Sequence, residues 1–298
     1  MGDGGGQAGA LTNLGIVRVL TGNYPAATAA LEEALNIYRD SGDRRGQAYV
    51  LTYLGRMRLT AGNYPAAAAN LHEALDIHRE TGDRLGQAGA LNSQGLVRRM
   101  TGRYQEAIRD LEEALTIHRG LGYRLGQAHA LTDLADVRRA TADYAAATAG
   151  LLEVLGICRD LGDRLGLANA LTLLGGVRGL TGDYPGAARD LDQALTIHRD
   201  VGNRYGEVTT LNEQGNLSRA RGDFGQAATL YQQALDLARQ IGSPLDEARA
   251  LAGLGRCAVA AGRTADGAAA LRQALGIFGR IGAAEAAYVA AELRSLSR

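Results

Sequence analysis

The chain has 298 residues, 46% hydrophobic and 21% charged, with 32 basic residues against 32 acidic ones and a formal net charge of zero. That balance excludes a global field that would draw nucleic acid or an anionic membrane surface. The basic residues are all arginine, the two cysteines (Cys158 and Cys257) are too few for a disulfide framework, and no apolar run is long enough to span a bilayer; these features predict a cytoplasmic chain that does not enter a membrane.

From the amino end the sequence repeats. Residues 2–11, GDGGGQAGAL, match the middle of a later motif, GDRLGQAGAL. The sequence therefore opens at a repeat boundary without the polar cap that terminal repeats need, and the reading is of a piece excised from a longer protein with further domains before it. Stepping by forties aligns Leu11, Leu51, Leu91, Leu131, Leu171, Leu211 and Leu251. A second column holds Gly15, Gly55, Gly95, Gly175, Gly215 and Gly255, with Ala135 as its one substitute, and a third holds Tyr24 to Tyr184 and then Phe224. A fixed period of this length signals a repeat array. The expected units are 3–42, 43–82, 83–122, 123–162, 163–202, 203–242 and 243–282, with a terminal helix over 283–297, all in one domain, 1–298. The seventh unit drifts, and Glu285, Glu292 and Arg294 give the last helix the look of a degenerate cap.

Each unit reads as two helices. Ala48, Leu51, Leu54, Gly55 and Arg58 keep the three-four spacing of one helix face, and Tyr64, Ala67, Leu71, Ala74, Leu75 and His78 do the same in the second. Gly62-Asn63 and Gly82-Asp83 punctuate them, glycine leaving one helix and Asn or Asp capping the next. Pro25, Pro65 and Pro185 fall in a first turn, where a missing N–H costs little. Glycine inside a helix costs about 1 kcal/mol against alanine, so the Gly15–Gly255 column predicts close approach of the paired helix.

The run Leu51-x-x-Leu54-Gly55, then Tyr64-x-x-Ala67-x-x-x-Leu71-x-x-Ala74-Leu75, resembles the tetratricopeptide repeat over nearly the whole chain. The period departs from the family's, at 40 rather than 34 residues, and the helix-A Trp and Tyr of the family are Leu and Arg58 here. The longer unit is similar to kinesin light chain repeats and to the carboxy-terminal arrays of actinobacterial regulators. The resemblance implies an all-α, right-handed solenoid of about seven antiparallel helix pairs plus a final helix, with protein or peptide partners in a concave groove lined by the first helices.

Enzyme chemistry finds no constellation in the sequence. Gly4 to Gly9 satisfies GxGxxG but follows no strand, so no nucleotide site is expected. His78, His118 and His198 share a column with Tyr38, Cys158, Ala238 and Phe278, which makes a packing position and not a metal site. No cofactor, metal or catalytic residue is expected. Arg18 to Arg178 fade to Ser218 and Ala258 as Glu33 to Glu153 fade to Gln193, Gln233 and Gln273, fifteen residues on. That parallel predicts a ladder of contacts such as Arg98–Glu113 between the two helices of a unit.

Function is expected where the copies disagree. Several first-helix columns vary in charge and size while the scaffold columns barely change. By resemblance, Asn92, Arg99, Asp133, Asp136, Arg139, Asn212, Glu213 and Asn216 face the groove, and Gly176 and Gly179, beside Leu173 and Leu180, leave an apolar notch for an anchor. The expectation is a non-catalytic protein- or peptide-binding scaffold, the sensor or partner-binding arm of a larger bacterial regulator, with no direct contact to nucleic acid or membrane. Two alternatives stand beside it: a small-molecule or signal-peptide sensor, and an array that self-associates through Leu11, Leu14 and Val17 of the uncapped first unit.

Overall fold

The computed structural model describes residues 4–20 and 23–296. Fifteen helices follow one another, without a strand among the described residues. They are α1 (Gly4–Leu20), α2 (Tyr24–Asp40), α3 (Arg44–Thr60), α4 (Tyr64–Glu80), α5 (Arg84–Met100), α6 (Tyr104–Gly120), α7 (Arg124–Ala140), α8 (Tyr144–Leu161), α9 (Arg164–Thr181), α10 (Tyr184–Asp200), α11 (Arg204–Ala220), α12 (Phe224–Ile241), α13 (Pro244–Ala260), α14 (Thr264–Ile281) and α15 (Glu285–Leu296). Odd-numbered helices are the first (A) helices of the units and even-numbered ones the second (B). The helix expected over 283–297 is α15; Ser297 lies outside the described residues. The GxGxxG run lies within α1.

The chain forms two compact units, residues 1–126 and 127–298, divided inside the first turn of α7. In the first, α1 packs on α2, α3 on α4 and α5 on α6, while α3 also touches α1 and α5. In the second, α9 pairs with α10, α11 with α12 and α13 with α14, and α11 also touches α9 and α13. Within each unit the A helices thus form a layer of their own.

The punctuation works as the residue types require. Gly42, Gly82 and Gly202 hold φ of 72, 68 and 70°, the left-handed exit conformation. Asp43, Asp83, Asp163 and Asn203 then accept a hydrogen bond from the backbone N–H three residues on, capping the A helices. The mid-helix glycines make the predicted approach. A Cβ on Gly95 or Gly175 would stand 2.6 Å from Cγ of Leu111 or Leu191, both fully buried. The histidine column is packing: His78, His118 and His198 each cover a glycine of the next A helix, Gly86, Gly126 and Gly206. His78 Nδ1 meets Asp83 Oδ2 at 2.9 Å, and Asn203 Nδ2 lies 3.0 Å from His198 Nδ1.

The Arg–Glu ladder is built differently from the expectation. The A-helix arginines reach twelve residues on: Arg58 to Asn70, Arg98 to Asp110 at 2.6 Å and Arg178 to Asp190 at 2.5 Å. Glu73 and Glu113 pair instead with Arg39 and Arg79 of the preceding B helix, at 2.8 and 3.2 Å. A separation of fifteen carries the glutamate round to the outer face of the B helix, where the neighbouring B helix is the nearer partner.

Asp110 is almost fully buried, and burial pushes its carboxyl from the ordinary 3.8 up to about 6 despite the opposing Arg98. The folded state therefore holds the proton more tightly than the unfolded chain. The resulting stability is fully present below pH 4 and is lost as pH rises through about 6. Urea unfolding of the parent and of Asp110→Asn at pH 4 and pH 7 should show a difference in pH dependence of about 2 kcal/mol. Parallel curves for the two proteins would contradict this.

Candidate functional site

The sequence-predicted groove residues divide between the two units. Asn92 and Arg99 lie in the first, on α5. Asn92 is turned to the packing layer, its Nδ2 3.4 Å from His118 Nε2, and Arg99 is half-buried. The other six lie in the second unit. Asp133, Asp136 and Arg139 are on α7, and Asn212, Glu213 and Asn216 are on α11; all but Asn212 are half-buried.

Four of the six form one connected chain. Arg139 Nη2 donates to Asp136 Oδ1 at 3.0 Å and its Nη1 to Glu213 Oε1 at 2.8 Å. Asn216 Nδ2 donates to Glu213 Oε2 at 3.1 Å, and the Tyr231 hydroxyl donates to Asn216 Oδ1 at 2.7 Å. Glu213, then Asp136, holds the Arg139 guanidinium firmly charged. Burial pushes the Tyr231 phenol up to about 12, so it stays a donor. The Arg139–Glu213 bridge crosses α9 at Gly176, where a Cβ would stand 3.2 Å from the Glu213 carboxylate and 3.5 Å from Arg139 Nη1. The notch expected beside Leu173 and Leu180 is therefore not an empty apolar anchor. Glycine there makes room for a charged strut. Leu180 remains exposed.

Beside this strut lies a cavity of about 330 Å³, lined chiefly by α11, α13 and α15. Arg139, Asn212, Glu213 and Asn216 border it, with Asp246, Arg249, Arg256, Glu285 and Tyr288, over an apolar floor of Ala252, Phe278 and Val289. Its volume is within the range of small-ligand sites, about 300–1,000 Å³. Arg249 Nη2 donates to Glu285 Oε1 at 2.7 Å, and Arg256 grips Glu292 with Nε at 3.1 Å and Nη2 at 3.0 Å. Burial works against the Arg249 charge, but Glu285 and Asp246 more than offset it.

Several of these residues were not selected from the sequence, although the internal alignment carried their signal. Tyr231 stands where the other units have leucine. It fits because Gly215 and Gly253 leave it room, each of whose Cβ atoms would lie within 2.7 Å of the ring. Asp246 stands in the column of Gly86 and Gly206, with Ala238 in place of the histidine that would otherwise fill that space. Its Oδ2 accepts from the Ser243 hydroxyl at 2.7 Å.

Cys158 and Cys257 are buried free thiols, and burial pushes Cys158 up to about 11. The described residues include no cluster of His, Cys, Asp or Glu that could hold a metal ion. No helix of the described residues is long and apolar enough to cross a membrane.

Solved structures share the fold at low identity. Aspartyl phosphate phosphatase F from Bacillus subtilis superposes with a TM-score of 0.74 at 11% identity, over 92% of this chain and 70% of that one. A Rap protein complexed with competence and sporulation factor matches with a TM-score of 0.65 at 14% identity, over 97% of both chains. A signal transduction ATPase with numerous domains, carrying a tetratricopeptide repeat sensor, from Pyrococcus horikoshii matches with a TM-score of 0.61 at 15% identity, over 96% of this chain but 44% of that one. No curated protein matches the sequence. The family model of the tetratricopeptide repeat matches residues 6–80, 86–149, 126–200 and 206–280. With that coverage, and with the paired helices, the glycine column and its facing leucines in place, the chain belongs to the tetratricopeptide repeat family.

Proposed function

We propose that this chain is a non-catalytic scaffold that binds a protein or peptide on the A-helix face of its second unit, and that it serves as the sensor or partner-binding arm of a larger cytoplasmic, bacterial regulator. The observation that carries the reading is the cavity bordered by Arg139, Asn212, Glu213 and Asn216 on an otherwise repetitive scaffold. Mixed donors and acceptors over an apolar floor suit an extended segment or a partner helix. The Rap complex and the ATPase with a repeat sensor support the reading by analogy of fold. The phosphatase likeness, at 11% identity, carries the fold alone.

The test is capture of partners from the source lysate by the parent, by Thr209→Arg with Tyr288→Ala, and by a Gln232→Arg control on an exposed B-helix surface. Thr209 and Tyr288 line the cavity and Gln232 is exposed. The expected result is a partner kept by the parent and the control and lost by the cavity variant. A partner indifferent to the cavity variant would remove this reading. Its second form, a small-molecule or signal-peptide sensor, rests on the volume and apolar floor of the same cavity. Self-association through the first unit, where Leu14 and Val17 are 41% and 55% exposed while Leu11 is half-buried, would show instead as mass that rises with concentration and falls on replacement of Leu14 and Val17 by serine.

A further inference from the structure

The ligand chemistry of this cavity follows from which of its polar groups are already used. Each guanidinium bordering it is matched. Arg139 is held by Asp136 and Glu213, Arg249 by Glu285, and Arg256 by both oxygens of Glu292. An incoming carboxylate would have to share a guanidinium with an acid that already neutralises it, and would add an uncompensated negative charge to a half-buried site.

The acceptors are in the opposite position. Asn212 is only 5% exposed, and its Oδ1 has no hydrogen-bond partner. Its Nδ2 is held by the Asp246 carbonyl at 3.4 Å, which fixes the amide with its oxygen as the spare group. On the next A helix Asp246 is 7% exposed. Its Oδ2 is taken by Ser243, and its Oδ1 stands 3.9 Å from Arg249 Nη1, beyond hydrogen-bond length. The unpartnered Asn212 Oδ1 is an energetic cost in the free protein that a ligand donor would remove. Phe278 and Val289, both 1% exposed, supply an apolar wall for a short alkyl stem. One negative and one neutral acceptor, with the cations already engaged, select a cationic donor.

We infer that the cavity between α11, α13 and α15 binds a protonated primary amine on a short aliphatic stem, with the ammonium donating to Asn212 Oδ1 and Asp246 Oδ1. The inference rests on the reading that this face binds ligand, and it names the chemistry that the face selects. A free alkylamine and a lysine side chain of a peptide present the same group.

Saturation-transfer NMR and thermal unfolding on the full chain test it with pentylamine, Nα-acetyl-lysine methylamide and pentanoate. At least one of the two amines should bind and pentanoate should not. Binding of pentylamine alone would identify a free amine, and binding of the lysine derivative alone a peptide side chain. Asp246→Asn keeps the shape and the Ser243 partner, and should weaken amine binding about tenfold, the loss expected for a charge-assisted hydrogen bond. Asn212→Leu provides a second variant in which the spare acceptor is gone. Pentanoate binding in preference to the amines, no binding by either amine, or amine binding unchanged in both variants would overturn the inference. If the amines fail while partner capture is still lost in the Thr209→Arg, Tyr288→Ala protein, the face is right and the chemistry wrong. If the amines bind while capture is indifferent to those changes, the chemistry stands and the partner docks elsewhere.

Discussion

Replacing Gly95 by alanine should lower the unfolding free energy by about 1–3 kcal/mol, the usual cost of overpacking a well-filled core. Helix propensity alone predicts the opposite sign, a gain of about 1 kcal/mol. The structure decides between them. The new Cβ would stand 2.6 Å from Leu111 Cγ and 2.9 Å from its Cδ2. Cγ is the branch point of a fully buried side chain, so relief requires the two helices to separate. Leu111→Ala alone should cost about 2–5 kcal/mol by leaving a cavity. The double variant should cost less than the sum, because the added methyl enters the space the leucine vacates. Urea unfolding of the four proteins measures the coupling, and strict additivity would show that the column is not a contact column. The fourth repeat carries Ala135 at this position, 1% exposed, so there the helix pair already accommodates a Cβ.

Glu213→Ala should cost about 3 kcal/mol, because it leaves a largely buried guanidinium short of its main partner. Arg139 and Glu213 side chains are 23% and 12% exposed, so solvent replaces little of the lost interaction. Asp136 still holds Arg139, which keeps the loss below that of a fully orphaned charge. Asn216 also loses an acceptor at 3.1 Å. A double-mutant cycle with Arg139→Met isolates the bridge, and a coupling energy of about 1–3 kcal/mol is expected. Zero coupling would mean that the strut is a surface pair of no consequence. Gly176→Leu should reproduce part of the loss without touching either charge, since its side chain would occupy the space the bridge crosses.

The scaffold was legible in the sequence because its causes are local. Gly82 followed by Asp83, Pro65 in a first turn, and Gly95 facing Leu111 are all specified within one 40-residue unit. Stepping the sequence against itself exposes the proline three times and the glycine column six times. The Arg–Glu ladder is not legible in this way. Two columns fade together and suggest Arg98 with Glu113, whereas Arg98 takes Asp110 and Glu113 takes Arg79. Co-variation in a repeat ranks columns. It does not supply the helical phase that separates a partner twelve residues on from one fifteen on. Gly176 likewise looks like a gap in the sequence, whereas Glu213 and Arg139 fill the space beside it with charge.

The helix pairs, their caps and the buried leucines are encoded locally, because each depends on residues a few positions apart. Which of the variable A-helix residues meet is set by packing across repeats. The Arg139–Glu213 bridge joins residues 74 apart, and the cavity brings Asn212 and Asp246 together with a wall from α14 and α15. Such contacts depend on the rise and rotation from one repeat to the next, which packing along the whole unit sets and no single 40-residue copy encodes.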